Sequence, residues 1–328
     1  EEEVVEEETP AEEEVAEEEV PVEEENVPGL PFVSVWRTTA DNESISLPLR
    51  PGFAYDITVD WGDGSPQSII DSANDADRIH TYAVAGDYTI TMTGFADALY
   101  FAGGADAAKI IEVIDLGEMG WKSLNKAFYG CSNLVNISGG DVSEVTDMSY
   151  MFFNAPLANP DVSAWNTSSV TNMAFMFYGA ASANPDTSNW DVSSVTNMSY
   201  MFNLASSANP DTGAWNTSAV NNMNSMFRSA SSANPNVLNW DVSSVTNMSY
   251  MFYEASVANP DVSGWDTSSV TNMAFMFAKA PLANPNTQFW NTSSVTSMTH
   301  MFFDTPLANP NTTNWDVSSV ADMSYMFF

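Results

Sequence analysis

From residue 141 to residue 328 the apolar positions follow one pattern that returns every 25 residues. In the copy 141–165, Met148, Met151, Phe152 and Ala155 stand at i, i+3, i+4 and i+7, the spacing of one helix face. An Ala-Asn-Pro triplet follows at 158–160. The residue before a proline avoids the helical region, so the predicted helix ends there. Residues 162–167 then read as a short strand with Trp165 in or beside it. The period does not slip: tryptophans fall at 165, 190, 215, 240, 265, 290 and 315, and an Asp/Asn element opens each copy at 141, 166, 191, 216, 241, 266, 291 and 316. A unit this short cannot bury its apolar side alone, and stacked neighbours make one continuous core. The expectation is an α+β repeat, a leucine-rich-repeat-like solenoid whose 25-residue coils each hold one short strand and one short helix. Coils ~4.8 Å apart would make a rod of ~35–40 Å.

The chain before the repeats is patterned differently. Residues 57–65 alternate as a strand does and end in Trp61-Gly62-Asp63-Gly64, a glycine turn. Residues 80–94 hold His80-Thr81-Tyr82, a turn at Gly86-Asp87 and a second alternating run, which together predict a small antiparallel β-sandwich. Residues 109–117 read as a buried strand. Residues 123–138 place Leu124, Ala127, Phe128 and Cys131 at helical spacing ahead of a short strand near 134–137. The division that follows is an acidic stretch at 1–29, a sandwich at 30–108, a transition or first coil at 109–140 and eight repeats at 141–328.

Two resemblances rest on these residues. The pair Trp61-Gly62-Asp63-Gly64 and His80-Thr81-Tyr82 resembles the PKD domain, which implies an extracellular spacer or binding module with His80 in a structural hydrogen bond. The repeat "WDVSSVTNMSYMF" at 190–202 and 240–252 resembles the leucine-rich-like repeat of BspA-family bacterial surface proteins, and "AFYGCSNL" at 127–134 a related subtype. Ala-Asn-Pro stands where that family's linker commonly reads Phe-Asn-Gln. The resemblance implies a secreted or surface-anchored adhesin or binding scaffold.

Charge narrows the partners. The chain of 328 residues has 43 acidic and 8 basic residues, a net charge of −35, and fifteen glutamates lie in the first 26 positions. Such a surface repels nucleic acid and anionic lipid. The glutamate-rich start, with little apolar area to bury, reads as a disordered stalk. No run of apolar residues is long enough to span a membrane. The opening without methionine suggests a trimmed N-terminus, and the last residues, "MSYMFF", suggest that the chain continues or meets a partner there. One cysteine, Cys131, permits no internal disulfide and reads as a small core residue.

Candidate chemistry is sparse. Two distant histidines, His80 and His300, with no nucleophile elbow, phosphate loop or zinc spacing, argue against an enzyme and against a required cofactor. Two columns of aromatics face away from the predicted apolar side: Tyr150, Phe175, Tyr200, Tyr250 and Phe275, with Tyr178 and Tyr253 beside them. They form either a ligand-binding stripe or rings packed between irregular coils. The tryptophan column reads as packing before ligand platform. Asp161, Asp186, Asp211 and Asp261 recur at one repeat position and are candidate calcium ligands, or they satisfy turn backbones. The functional expectation is a cell-surface adhesin that binds extracellular protein or glycan. The alternative is a self-associating subunit of an extracellular filament or matrix.

Overall fold

The computed structural model describes residues 29–328; the acidic stretch 1–28, expected as a disordered stalk, lies outside them. Among the described residues there are eight strands: β1 (Phe32–Thr38), β2 (Glu43–Ser46), β3 (Tyr55–Asp60), β4 (Ser68–Ile70), β5 (Ile79–Tyr82), β6 (Gly86–Ala96), β7 (Ile110–Asp115) and β8 (Asn136–Ile137). A six-stranded sheet runs in the order β4-β3-β6-β1-β7-β8, and β2 pairs with β5 in a second, two-stranded sheet. In β1 and β3 alternate residues are buried, because successive side chains point to opposite sheet faces. Their inward residues, among them Trp36, Ile57 and Val59, join Ile45 and Tyr82 in the core.

The large sheet crosses the boundary expected at 108. Its strand β7 pairs antiparallel with β1 and parallel with β8, so the large sheet continues past residue 108 to residue 137. A second thread starts at the same junction. Parallel single-residue bridges run from Ala98 to Ser123 and Asp147, then through Asn172, Asn197, Asn222, Asn247, Asn272, Ser297 and Asp322. Trp121 is buried at the junction, edge-on to Phe32, and its indole N–H donates to the Leu116 carbonyl at 3.0 Å.

The repeats stack in register, and the α+β expectation is wrong about how each coil is built. Among the described residues there is no α-helix; 1% of residues are helical and 18% lie in strands. The apolar residues at 148, 151, 152 and 155 are all buried as their spacing suggested, but tight turns bring them inward. The N–H groups of Met151, Phe153 and Ala155 donate to the carbonyls three residues back. Those of Met148, Tyr150, Phe152 and Asn154 donate to Asn172, Ala174, Met176 and Tyr178 of the next coil, at 2.8–3.0 Å. Alternate donors thus leave the coil, whereas an α-helix would use them all internally. Tyr150 and Asn154 also have φ of 58° and 52°, a left-handed conformation that ends a right-handed helix. The strand expected at 162–167 is replaced by turns closed by Trp165 N–H to Val162 and Val170 N–H to Thr167.

Three columns hold the rod together. Phe128, Phe152, Phe177, Phe202, Phe227, Phe252, Phe277 and Phe302 form a buried stack with centroids 5.2–5.8 Å apart. The tryptophans form a second, with near-parallel rings 6.1–6.5 Å apart. From Trp190 to Trp290 each indole N–H donates to the carbonyl 28 residues earlier. The third column explains the Ala-Asn-Pro triplet: the Oδ1 of Asn159 accepts the backbone N–H of Asn184 at 2.9 Å, and the contact repeats through Asn209, Asn234, Asn259, Asn284 and Asn309. These asparagines are more than the helix stop read from the sequence; each supplies an acceptor to a backbone donor of the next coil.

Candidate binding face

The turn that replaces the helix also creates the outer aromatic face. In the turn 148–151 the third residue, Tyr150, carries the positive φ, and the same holds for Phe175 (60°), Tyr200 (59°), Tyr250 (59°), Phe275 (59°) and His300 (55°). Glycine is the residue that adopts this conformation without steric cost. A bulky side chain there costs on the order of 1 kcal/mol or more. The chain accepts that cost at coil after coil.

Ring stacking offsets part of it. Tyr150, Phe175 and Tyr200 lie face to face with centroids 4.5 Å apart. Tyr129, Phe153 and Tyr178 form a parallel stack at 4.5–4.6 Å. Further along, Tyr250, Phe275, His300 and Tyr325 continue the first column at 4.5–4.9 Å. The seven stripe residues expected from the sequence, Tyr150, Phe175, Tyr178, Tyr200, Tyr250, Tyr253 and Phe275, are therefore on one face, and each is half-buried. The rings pack between coils, and their outer edges face solvent. Within a stack the ring faces are occupied by neighbouring rings, so flat contact with a ligand is confined to places where a column stops.

The columns stop in the coil 216–240. Ser225 and Arg228 take the two ring positions there, Asn203 takes the second position one coil earlier, and Ala278 interrupts the second column again two coils later. The Arg228 guanidinium lies 5.2 Å from the Tyr250 centroid and 5.1 Å from that of Tyr253, a cation–π arrangement. Lys279 lies 5.6 Å from the Tyr253 centroid and pairs with Glu254 at 3.2 Å. Burial opposes the charge on Glu254, but hydrogen bonds from Lys279 and Ser229 outweigh it and hold the carboxyl below its ordinary range. Arg228 and Lys279 are the only basic residues between 141 and 328, and both lie on this face. Their significance was missed in the sequence; the available signal was the break at Ser225 in the first column.

The other candidates fall into structural roles. Asp161, Asp186 and Asp261 each accept the backbone N–H and hydroxyl of the serine two residues on, and Asp211 accepts the Gly213 N–H at 3.1 Å. They cap turns, one per coil. No group of three or more acidic, histidine or cysteine side chains among the described residues is placed to hold a metal ion. His80 stacks on Trp61 at 4.9 Å and lies 2.8 Å from Asp63. Burial opposes ionisation of Asp63, yet hydrogen bonds from Ser65 and His80 prevail and bring its pKa to about 2. His300 takes a ring's place in the outer stack. Cys131 is fully buried, which pushes its thiol well up.

A cleft of about 740 Å³ at the junction is lined by Asp56, Thr93, Gly94, Phe95, Glu118 and Met119, with Gly29 and Gly120. No helix of the described residues is long and apolar enough to cross a membrane.

No curated protein and no solved structure matches the chain. Residues 122–237 and 230–328 match a family described as "Mycoplasma protein of unknown function, DUF285". The two matched stretches cover the coils and together more than half of the chain, and the chain belongs to that family.

Proposed function

We propose that the chain is a non-catalytic binding scaffold of the bacterial cell surface or its surroundings, an adhesin that recognises extracellular protein or glycan through the outer aromatic face. One observation carries the reading. Bulky rings occupy, coil after coil, a left-handed backbone position where glycine is cheapest, and their edges remain at the surface. Backbone strain that is retained repeatedly points to a use for the side chain. Binding would be the sum of many weak equivalent contacts along the rod, amplified by multivalency. The tyrosine hydroxyls and ring edges suit hydroxyl-rich ligands, and the two basic residues lie where they meet a ligand instead of the acidic turns. The resemblance of the repeats to BspA-family surface proteins supports the location.

The test is an array of glycans and matrix proteins probed with the wild type and a Tyr150→Ser/Tyr200→Ser/Tyr250→Ser variant, with and without calcium. Loss of signal in the variant, with its thermal unfolding still cooperative, supports the reading. Equal signals from the two proteins overturn it.

A further inference from the structure

The interruption of the aromatic columns has the features of a site. Along the first column Tyr200 stacks on Phe175 and Tyr250 on Phe275. Between them stands Ser225, so the stack is missing one ring. Tyr200 and Tyr250 flank that position, and the Arg228 guanidinium covers it, 5.2 Å from the Tyr250 centroid. The Ser225 side chain is fully buried, and its hydroxyl has no hydrogen-bond partner. A buried polar group without a partner is uncommon and costly. Ser225 also keeps the positive φ of its column, at 55°, so the backbone is shaped for a ring that the sequence withholds.

Arg228 stands beside this position. Its guanidinium rests on Tyr250 and Tyr253, and among the described residues it forms no salt bridge and donates no side-chain hydrogen bond. Five N–H donors in a planar fork are left for a ligand. The nearest acidic neighbour on this face, Glu254, is held by Lys279 and Ser229. An anion at Arg228 therefore meets a neutralised carboxylate. Beyond this face the acidic turns repel anions, but at physiological salt that repulsion is screened over about 8 Å.

We infer that the coil 216–240 carries a subsite for a carboxylate-bearing sugar, with the carboxylate on the Arg228 guanidinium and the sugar ring against the outer edges of Tyr200, Tyr250 and Tyr253. A planar bidentate donor matches a carboxylate. Aromatic borders with hydroxyl tips suit the mixed apolar and hydroxylated surface of a saccharide. The inference rests on the proposed glycan-binding reading and names the class of glycan that the face selects.

Two probes test it, a galacturonate trimer and sialyllactose, each compared with its methyl ester by calorimetric titration of the full chain. The wild type should prefer the free acid to the ester by roughly 10- to 100-fold, the range of a charge-assisted hydrogen bond pair. R228Q should lose that preference, and R228K should recover only part of it because a point charge lacks the fork. S225Y restores the ring that neighbouring coils carry at the same backbone conformation, so it should fold normally and exclude the acidic probes. A wild type indifferent to the ester, or S225Y and R228Q that bind like the wild type, overturns the inference. An acetylated Asp-Glu peptide that binds at Arg228 when both sugars fail overturns it in favour of a peptide ligand. The array result stays separate: ligands that still depend on the tyrosines leave the adhesin reading in place without this subsite.

Discussion

Trp215→Ala tests whether the tryptophan column is core. Trp215 is 2% exposed, and its ring lies between those of Trp190 and Trp240, 6.4 and 6.1 Å away and nearly parallel to both. Its N–H donates to the Thr187 carbonyl at 3.2 Å. A buried tryptophan removes about 150–250 Å² from water, which at ~25 cal/mol/Å² is about 4–6 kcal/mol as an upper bound. Truncation of large buried aromatics typically costs about 3–5 kcal/mol, so a loss near 4 kcal/mol is expected. Trp215→Phe keeps most of the area and removes the donor. The Thr187 carbonyl still accepts the Trp190 N–H, so this change should cost only about 1–2 kcal/mol. Urea unfolding followed by far-UV circular dichroism measures both. A coil contacts only its neighbours, and the mid-rod position makes the loss visible whether the rod melts as one unit or splits at the weakened coil. A cost below about 1 kcal/mol for Trp215→Ala would refute the assignment of this column to the core and reopen it as a ligand platform.

Acid should weaken the rod in part through its turn-capping aspartates. Hydrogen bonds from Ser163, Ser243 and Ser263 hold the carboxyls of Asp161, Asp241 and Asp261 below their ordinary range. A carboxyl depressed in the folded state contributes stability above its unfolded value, about 4, and loses it as pH falls toward the folded value. The urea midpoint should hold from pH 7 to 5 and fall below pH 4. The Asp161→Asn/Asp241→Asn/Asp261→Asn variant should fall less, since Asn236 and Asn286 already fill the Asp161 position in other coils with the same backbone contact; an equal fall in both proteins would sink the explanation. In the sandwich, Gly94 has φ of 100°, and a Cβ there would collide with the Asp56 carbonyl across the β3–β6 pair. Gly94→Ala should destabilise by about 1–3 kcal/mol, with hydrogen exchange accelerated first in β3 and β6; unchanged exchange there would contradict the geometry.

Much of the architecture was legible in the residues. The buried set at 148, 151, 152 and 155 follows from apolar spacing, and β3, β5, β6 and β7 overlap the runs read as strands, although Gly86 and Asp87, read as a turn, open β6 instead. The helix was misread because tight turns and a helix both bring i, i+3 and i+4 to one side. What separates them is the destination of alternate N–H groups, and that depends on a neighbouring coil 25 residues away. The outer face was legible as a set of rings, since the seven residues named share one surface. Its interruption was visible as Ser225 and Arg228 but carried no meaning until the stack around it was seen.

By itself the sequence determined the period, the register of like residues, the apolar inner side and the excess of negative charge, because each is a property of composition and spacing along one chain. The tertiary structure alone decided that each coil is made of turns, that asparagine 159 and its counterparts form a ladder, and that Arg228 lies over rings of the next coil without a charged partner. Those facts depend on hydrogen bonds and ring contacts between coils, and they are settled only when one coil is laid against the next.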